Sequence, residues 1–319
     1  MGGLFGVFSK NDCVKDLFYG TDYHSHLGTR RGGLAVKNAG GFQRFIKDIT
    51  TSQFRSKFDR DIKKLHGNKG IGVISDYDDQ PLIINSRLGV FAISTVGRIN
   101  NLKELTSEAL KNGTHFSEMH GGEINPTEMV ATIISRGSSF EEGIEKVQNM
   151  IDGSCTMLIL TDEGIIAVRD RLGRTPLIIG KKDGSYAVTM ESCAFPNLGY
   201  KISKYLGPGE VIYINSGGLE QKIKPQERLQ ICSFLWVYYG YPASNYEGIN
   251  VEVVRHKCGS FLAKNDDVEV DLVAGIPDSG TAHGLGYANE AKIPFSRPFV
   301  KYTPTWPRSF MPQDQSIRD

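Results

Sequence analysis

The sequence predicts an α+β first domain followed by the opening of an α/β domain, and three observations carry that expectation. The chain begins with an almost unbroken apolar run, Gly2-Gly3-Leu4-Phe5-Gly6-Val7-Phe8, which reads as a strand buried on both faces. Residues 154–215 look like strands joined by tight turns at Asp162-Glu163-Gly164 and Lys182-Asp183-Gly184, with Ser216-Gly217-Gly218 turning the chain once more. Residues 268–276 form an apolar strand with acidic residues at its entry, which opens into Pro277-Asp278-Ser279-Gly280-Thr281 and a helix of small residues. A length of 319 residues exceeds one ordinary core. The polar stretch 222–229 with Pro225 is the expected break, giving domains 1–229 and 230–319.

Taken in order, Asn11-Asp12 caps a helix with Val14, Leu17 and Phe18 on one face, ending around Gly28. Strands follow over residues 29–36 and at Gly70-Ile71-Gly72-Val73-Ile74, and a strand, turn and helix occupy residues 88–105. Asn125-Pro126-Thr127-Glu128 is a helix start, with Asn as cap, Pro at the first position and Glu reaching back to free N–H groups. Ser138 and Glu141 start a second capped helix, with Phe140, Ile144, Val147 and Ile151 as its buried face.

Composition narrows the function. The net charge of +1 arises from 37 basic and 36 acidic residues, well mixed, so neither nucleic acid nor an anionic membrane is an expected partner. Cys13, Cys155, Cys193, Cys232 and Cys258 are odd in number and form no CxxC pair, which points to a reducing compartment. No run approaches a membrane span, no basic leader precedes an apolar segment, and Gly6 stands where myristoylation requires Ser or Thr. A cytoplasmic protein is expected. His24 and His26 lack a second cluster of ligands and read as surface or capping histidines.

The N-terminal run resembles the start of the class II glutamine amidotransferases, most closely the glutamine phosphoribosylpyrophosphate amidotransferases. Further matches occur in family order: His26-Leu27-Gly28-Thr29, Gly97 with Asn100-Asn101-Leu102, Arg169-Asp170 with Gly173 and Pro176-Leu177, Glu191-Ser192-Cys193-Ala194 on a strand, Leu206-Gly207-Pro208-Gly209-Glu210, and Cys232 through Tyr239. The resemblance implies an Ntn-hydrolase-like αββα sandwich of two antiparallel sheets, then an incomplete α/β type I phosphoribosyltransferase domain. It further implies that Arg169 and Asp170 are a buried framework pair.

The family's chemistry requires an N-terminal cysteine whose thiolate attacks the glutamine carboxamide, with its own α-amine as general base. Gly2 occupies that position here. Ser75 stands for the arginine that binds the glutamine carboxylate, Val96 for the oxyanion-hole asparagine beside a retained Gly97, and Pro126 for the aspartate that holds the α-ammonium. Cys13 lies inside the chain without an α-amine and reads as a buried thiol. The resemblance thus implies a degenerate glutamine site, a pseudoenzyme as a glutaminase.

In the second domain, strand, polar turn and helix N-terminus form an anion site on physical grounds, with a plain capped turn as the alternative. The resemblance makes Asp278, Ser279, Gly280 and Thr281 the pyrophosphate loop for phosphoribosyl pyrophosphate (PRPP), with Ser279 close to its Mg2+. Lys301 and Arg308 match a flexible loop that folds over substrate. An iron–sulfur cluster occurs in some members, but Cys232 alone cannot hold one and reads as packed. The later Asp-Asp-Ser segment is not found, since Asp78-Asp79 and Asp266-Asp267 lack the strand and turn. The expectation is a fragment of a longer protein or a truncated gene product, binding PRPP weakly.

Two readings follow: an amidophosphoribosyltransferase of purine biosynthesis using ammonia from elsewhere, or a non-catalytic regulator binding nucleotide or an active partner. A homo-oligomer is the expected assembly.

Overall fold

The computed structural model describes residues 2–76, 78–120 and 122–301. The chain separates into two compact units, Met1–Cys232 and Ser233–Asp319. In the first unit the order is β1 (Gly2–Phe8), α1 (Val14–Asp22), β2 (Arg31–Asn38), β3 (Gly41–Asp48), α2 (Phe54–Phe58), β4 (Lys69–Ser75), β5 (Leu82–Ser86), β6 (Gly89–Ile99) and α3 (Leu102–Lys111). A short ladder of β7 (Met119–His120) and β8 (Glu123–Ile124) precedes α4 (Pro126–Ser135) and α5 (Phe140–Met150). Then come β9 (Gly153–Leu160), β10 (Ile165–Val168), β11 (Ile178–Lys182), β12 (Ser185–Thr189), α6 (Ala194–Leu198), β13 (Lys201–Tyr205), β14 (Val211–Asn215) and β15 (Gly218–Ile223).

Among the described residues these strands make two antiparallel sheets, β13-β11-β12-β1-β4-β2-β3 and β15-β14-β10-β9-β6-β5. Their facing sides enclose one core containing Leu4, Phe8, Val73, Val96, Leu158 and Ile165. A second core joins the outer face of the first sheet to α1, α2 and α6 through Phe5, Val7, Leu17, Phe18, Phe54 and Phe195. A third joins the other outer face to α3, α4 and α5. This is the αββα sandwich. β1 is buried throughout because it lies near the middle of its sheet with a layer on either side, which is why its sequence does not alternate. Gly20 of α1 admits the Phe5 ring: a Cβ there would lie 2.2 Å from it.

Several local expectations need correction. The helix expected to run to Gly28 ends at Asp22, after which His24 and Leu27 donate backbone bonds to Thr21 and His24 in tight turns. His24 is fully buried rather than superficial. The second capping box is shifted by one residue: the Ser139 hydroxyl accepts from Glu142 N, and Glu142 Oε2 accepts from Ser138 N. Glu128 accepts from the backbone of Ser117 and Glu118, which ties the preceding segment to α4. Residues 191–193 form a turn into α6 instead of a strand. Buried Arg169 donates to the carbonyls of Gly173, Thr175 and Leu206, and buried Asp170 accepts from Thr175 N and Leu172 N, so both organise the turn that ends β10.

The first unit extends past Leu229, because Gln230 N and Cys232 N donate to Leu172 O and Arg174 O. Cys232 is exposed, contrary to the packed thiol expected. The second unit contains a short π-helix (Leu235–Tyr239), β16 (Asn245–Tyr246), β17 (Ile249–Asn250), α7 (Val251–Lys264), β18 (Val273–Ala274), α8 (Gly280–Ala291) and β19 (Phe295–Ser296). α7 and α8 pack backbone to backbone at two glycines. A Cβ on Gly259 would lie 1.9 Å from His283 O, and one on Gly286 1.9 Å from His256 O. The strand expected over residues 268–276 reduces to β18, paired in parallel with β19, and residues 268–272 are exposed.

Candidate functional site

The start of β1 places the first candidate site. Gly2 pairs with Ser75 on β4, and Ser75 pairs on its other side with Arg31 of β2, so the three positions share one sheet face. That face also carries Leu4 and Val73 toward the opposite sheet. Val96 approaches from β6: a Cβ built on Gly2 would lie 3.2 Å from Val96 Cγ2 and 2.5 Å from Ile74 O. The structure therefore brings Gly2, Ser75 and Val96 together. Gly97 has a packing reason of its own, since a Cβ there would lie 2.0 Å from Ser154 O on β9.

Pro126 enters through the helix that it begins. Asn125 Oδ1 accepts from Thr127 N at 2.9 Å while its amide donates to Asp79 O at 3.1 Å. The Thr127 and Thr95 hydroxyls are 2.6 Å apart, and Thr95 N donates to Gln80 Oε1 at 2.7 Å. The N-terminus of α4, the loop 78–80 and β6 just before Val96 are thus one hydrogen-bonded assembly.

Charged groups surround the site. Asp76 accepts from Thr29 N at 2.8 Å, and Asp78 N donates to Ser75 Oγ at 3.2 Å. Burial, reinforced by the neighbouring Asp79 carboxylate, pushes Asp78 up to about 6. Arg31, one strand from Ser75, donates to Asp79 Oδ1 at 2.8 Å and also binds Asp48. A guanidinium is therefore present beside the position that lacks one, held by two carboxylates. Its signal in the sequence was the basic residue opening β2, but its pairing with Ser75 depends on sheet order and was not readable.

His24 supports this end of β1 from the opposite face. Its Nδ1 donates to Gly20 O at 2.9 Å, and its Nε2 accepts from Glu191 N at 3.2 Å. Burial lowers it to about 4, so the neutral ring is the native form. His26 Nε2 lies 3.0 Å from Glu191 Oε1. The Cys13 thiol is buried, and burial together with the Asp12 carboxylate pushes it up, which leaves it poorly suited to nucleophilic attack.

In the second unit, residues 278–281 lead from β18 into α8, and the Pro277-Asp278 peptide is cis. Gly280 N donates to Ile276 O at 2.9 Å and Thr281 N to Asp278 O at 3.2 Å, so these two donors, expected to face an anion, turn inward. Ser279 is the N-cap residue, and its side chain makes no cap bond. Lys301 reaches the loop, with Nζ 3.6 Å from Asp278 Oδ2. Arg308 lies outside the described residues. Among the described residues no group of three or more His, Cys, Asp or Glu side chains could hold a metal ion, and no helix is long and apolar enough to cross a membrane.

Residues 68–197 match the model of a glutamine amidotransferase domain. The chain is similar to the amidophosphoribosyltransferase of Archaeoglobus fulgidus, 30% identical over 335 residues that cover 100% of this chain and 71% of the relative. The Bacillus subtilis amidophosphoribosyltransferase is 28% identical, over 99% of this chain and 67% of its own. Among solved structures, the B. subtilis glutamine PRPP amidotransferase complexed with ADP and GMP superposes with a TM-score of 0.84 at 27% identity, covering 99% of this chain and 70% of that one. A structure described as the allosteric regulatory enzyme of purine biosynthesis also gives 0.84, at 26% identity with 99% and 69% covered. On its sequence and its fold alike, the chain belongs to the amidophosphoribosyltransferase family.

Proposed function

We propose that the chain is an amidophosphoribosyltransferase-like protein of purine biosynthesis whose glutamine-hydrolysing site is lost, the sandwich serving as a scaffold. Hydrolysis by a class II site needs a nucleophile with a base beside it, an oxyanion donor and anchors for both ends of the amino acid. Gly2 offers an amine without a thiol, Ser75 lacks a fixed charge, Val96 turns methyl groups toward the position of the nucleophile, and Pro126 has no carboxylate. The observation that carries the reading is the crowding at Gly2: Ile74 O and Val96 Cγ2 occupy the space in which a residue-2 side chain would begin.

For the second unit we propose a PRPP-directed loop at Asp278, Ser279, Gly280 and Thr281, with Lys301 and Arg308 as cationic partners for the diphosphate. Ser279, free of a capping bond, is the protein group offered to PRPP-associated Mg2+, whose chemistry would be to neutralise the diphosphate charge. Transfer of the phosphoribosyl group to ammonia, giving 5-phosphoribosylamine, belongs to this reading for the complete protein.

The regulatory reading is favoured by one observation, the ADP and GMP held by the B. subtilis relative. Calorimetric titration separates the two. Magnesium-dependent binding of PRPP that Ser279→Ala and Lys301→Ala weaken supports the transferase. Binding of ADP or GMP without any PRPP signal supports the regulator and overturns the first reading.

A further inference from the structure

Two lysines stand side by side at the opposite end of β4 from Ser75. Lys69 opens that strand, roughly 20 Å along it from Ser75. It pairs directly with Lys37 of β2 on one side and with Phe8 of β1 on the other. Paired residues share a sheet face, so both ammonium groups project toward the β9–β10 turn of the opposite sheet, where each finds an acceptor. Like charges placed directly opposite one another in an antiparallel pair repel.

The turn compensates the two unequally. The Asp162 carboxylate lies 3.1 Å from Lys37 Nζ, whereas Lys69 Nζ donates to the Asp162 backbone carbonyl. Among the described residues no carboxylate lies within ion-pair distance of Lys69, and the Asp162 and Glu163 charges act on it from farther away. Burial and the Lys37 ammonium hold the Lys69 amine below the ordinary lysine range, with those two carboxylates opposing them. Partial burial beside a second cation is a recurrent way of activating a lysine as a nucleophile. In its neutral form Lys69 keeps the hydrogen bond to the carbonyl and leaves the nitrogen lone pair free, which an ion-paired ammonium cannot do.

We propose that Lys69 is an acylation site, its amine taking the acyl group of an acyl phosphate. The nitrogen lone pair attacks the carbonyl carbon, the bond from that carbon to the phosphate oxygen breaks, and an amide forms as the amine proton passes to the departing phosphate. The site is independent of the glutamine and PRPP readings. Acetyl phosphate is the probe: the full chain is treated briefly from pH 7 to 10, and acetylation at each lysine is read by peptide mass spectrometry. Exposed Lys63 and Lys103 are the internal references. Lys69 is expected to react about three- to tenfold faster than either at pH 7.5 and to reach its plateau at lower pH. Lys37→Gln should slow it, because the second cation is gone and Asp162 is released to pair with Lys69. Asp162→Asn should speed it. If access alone set the rate, Lys37→Gln would speed labelling, so the sign separates the two accounts. A Lys69 rate no higher than those of Lys63 and Lys103, an unchanged or faster rate in Lys37→Gln, or an unchanged or slower rate in Asp162→Asn would overturn the assignment.

Discussion

Gly2 concentrates the account at the scale of single residues, because what it lacks chemically its neighbours also exclude sterically. The same end of β1 holds two titratable groups whose effects on stability have opposite sign. Asp78 is raised to about 6 from 3.8, so between those values the native state binds more protons than the unfolded chain. Its contribution is present below pH 4 and lost as pH rises through 6. Asp78→Asn should therefore stabilise the protein at pH 7.5 by about 1–2 kcal/mol, discounted for partial exposure, and leave it unchanged near pH 4. His24 is lowered to about 4 from 6.5, so here the unfolded state binds more protons across that window. The stability associated with neutral His24 is complete above pH 6.5 and falls by about 3 kcal/mol as pH drops to 4. Urea unfolding of the wild type, Asp78→Asn and His24→Asn from pH 4 to 8 separates the two. Flattening of the acid limb in His24→Asn, and a gain in Asp78→Asn that grows with pH, are the expected signatures.

At the scale of elements, α7 and α8 cross with their backbones in direct contact at Gly259 and Gly286. Gly286→Ala would drive a methyl group into His256 O, and about 1–3 kcal/mol of destabilisation is expected. Hydrogen exchange should report it as lost protection in α7 and α8 with β1 and β4 unaffected. Ser139→Ala removes the cap of α5 and should cost about 1 kcal/mol in thermal or urea unfolding, whereas Ser138→Ala should cost less. That contrast also marks what could be read in advance. The cap at Asn125 was legible because its signal is local, with Asn, Pro and the free N–H groups lying within one turn. The choice between Ser138 and Ser139 was not, because both satisfy the pattern and only the path of the chain selects one. The strand expected over 268–276 is shorter than its pattern: Val268, Val270 and Leu272 alternate with acidic residues as a strand does, yet a strand also needs a ladder, and β19 supplies two residues of it. Burial of His24 and the pairing of Arg31 with Ser75 are settled by sheet order, which no local window contains.

At the scale of the molecule, four layers hold the candidate glutamine site at the place where β1, β4, β6 and the start of α4 converge. Framework positions that carry the resemblance are packed in the same unit, in the turn built by Arg169 and Asp170 after β10 and in the approach of Gly97 to Ser154 O. On the proposed loss of the nucleophile, the oxyanion donor and both anchors, restoring the nucleophile alone should restore nothing. The most direct test is glutamate release from glutamine by the purified chain and by Gly2→Cys, with removal of Met1 confirmed by mass spectrometry. Both proteins are expected to remain at the background rate, the variant also losing stability by about 1–3 kcal/mol from crowding against Ile74 O. Steady glutamate release by the wild type, or substantial turnover in Gly2→Cys, would contradict the claim that the glutamine site has been lost.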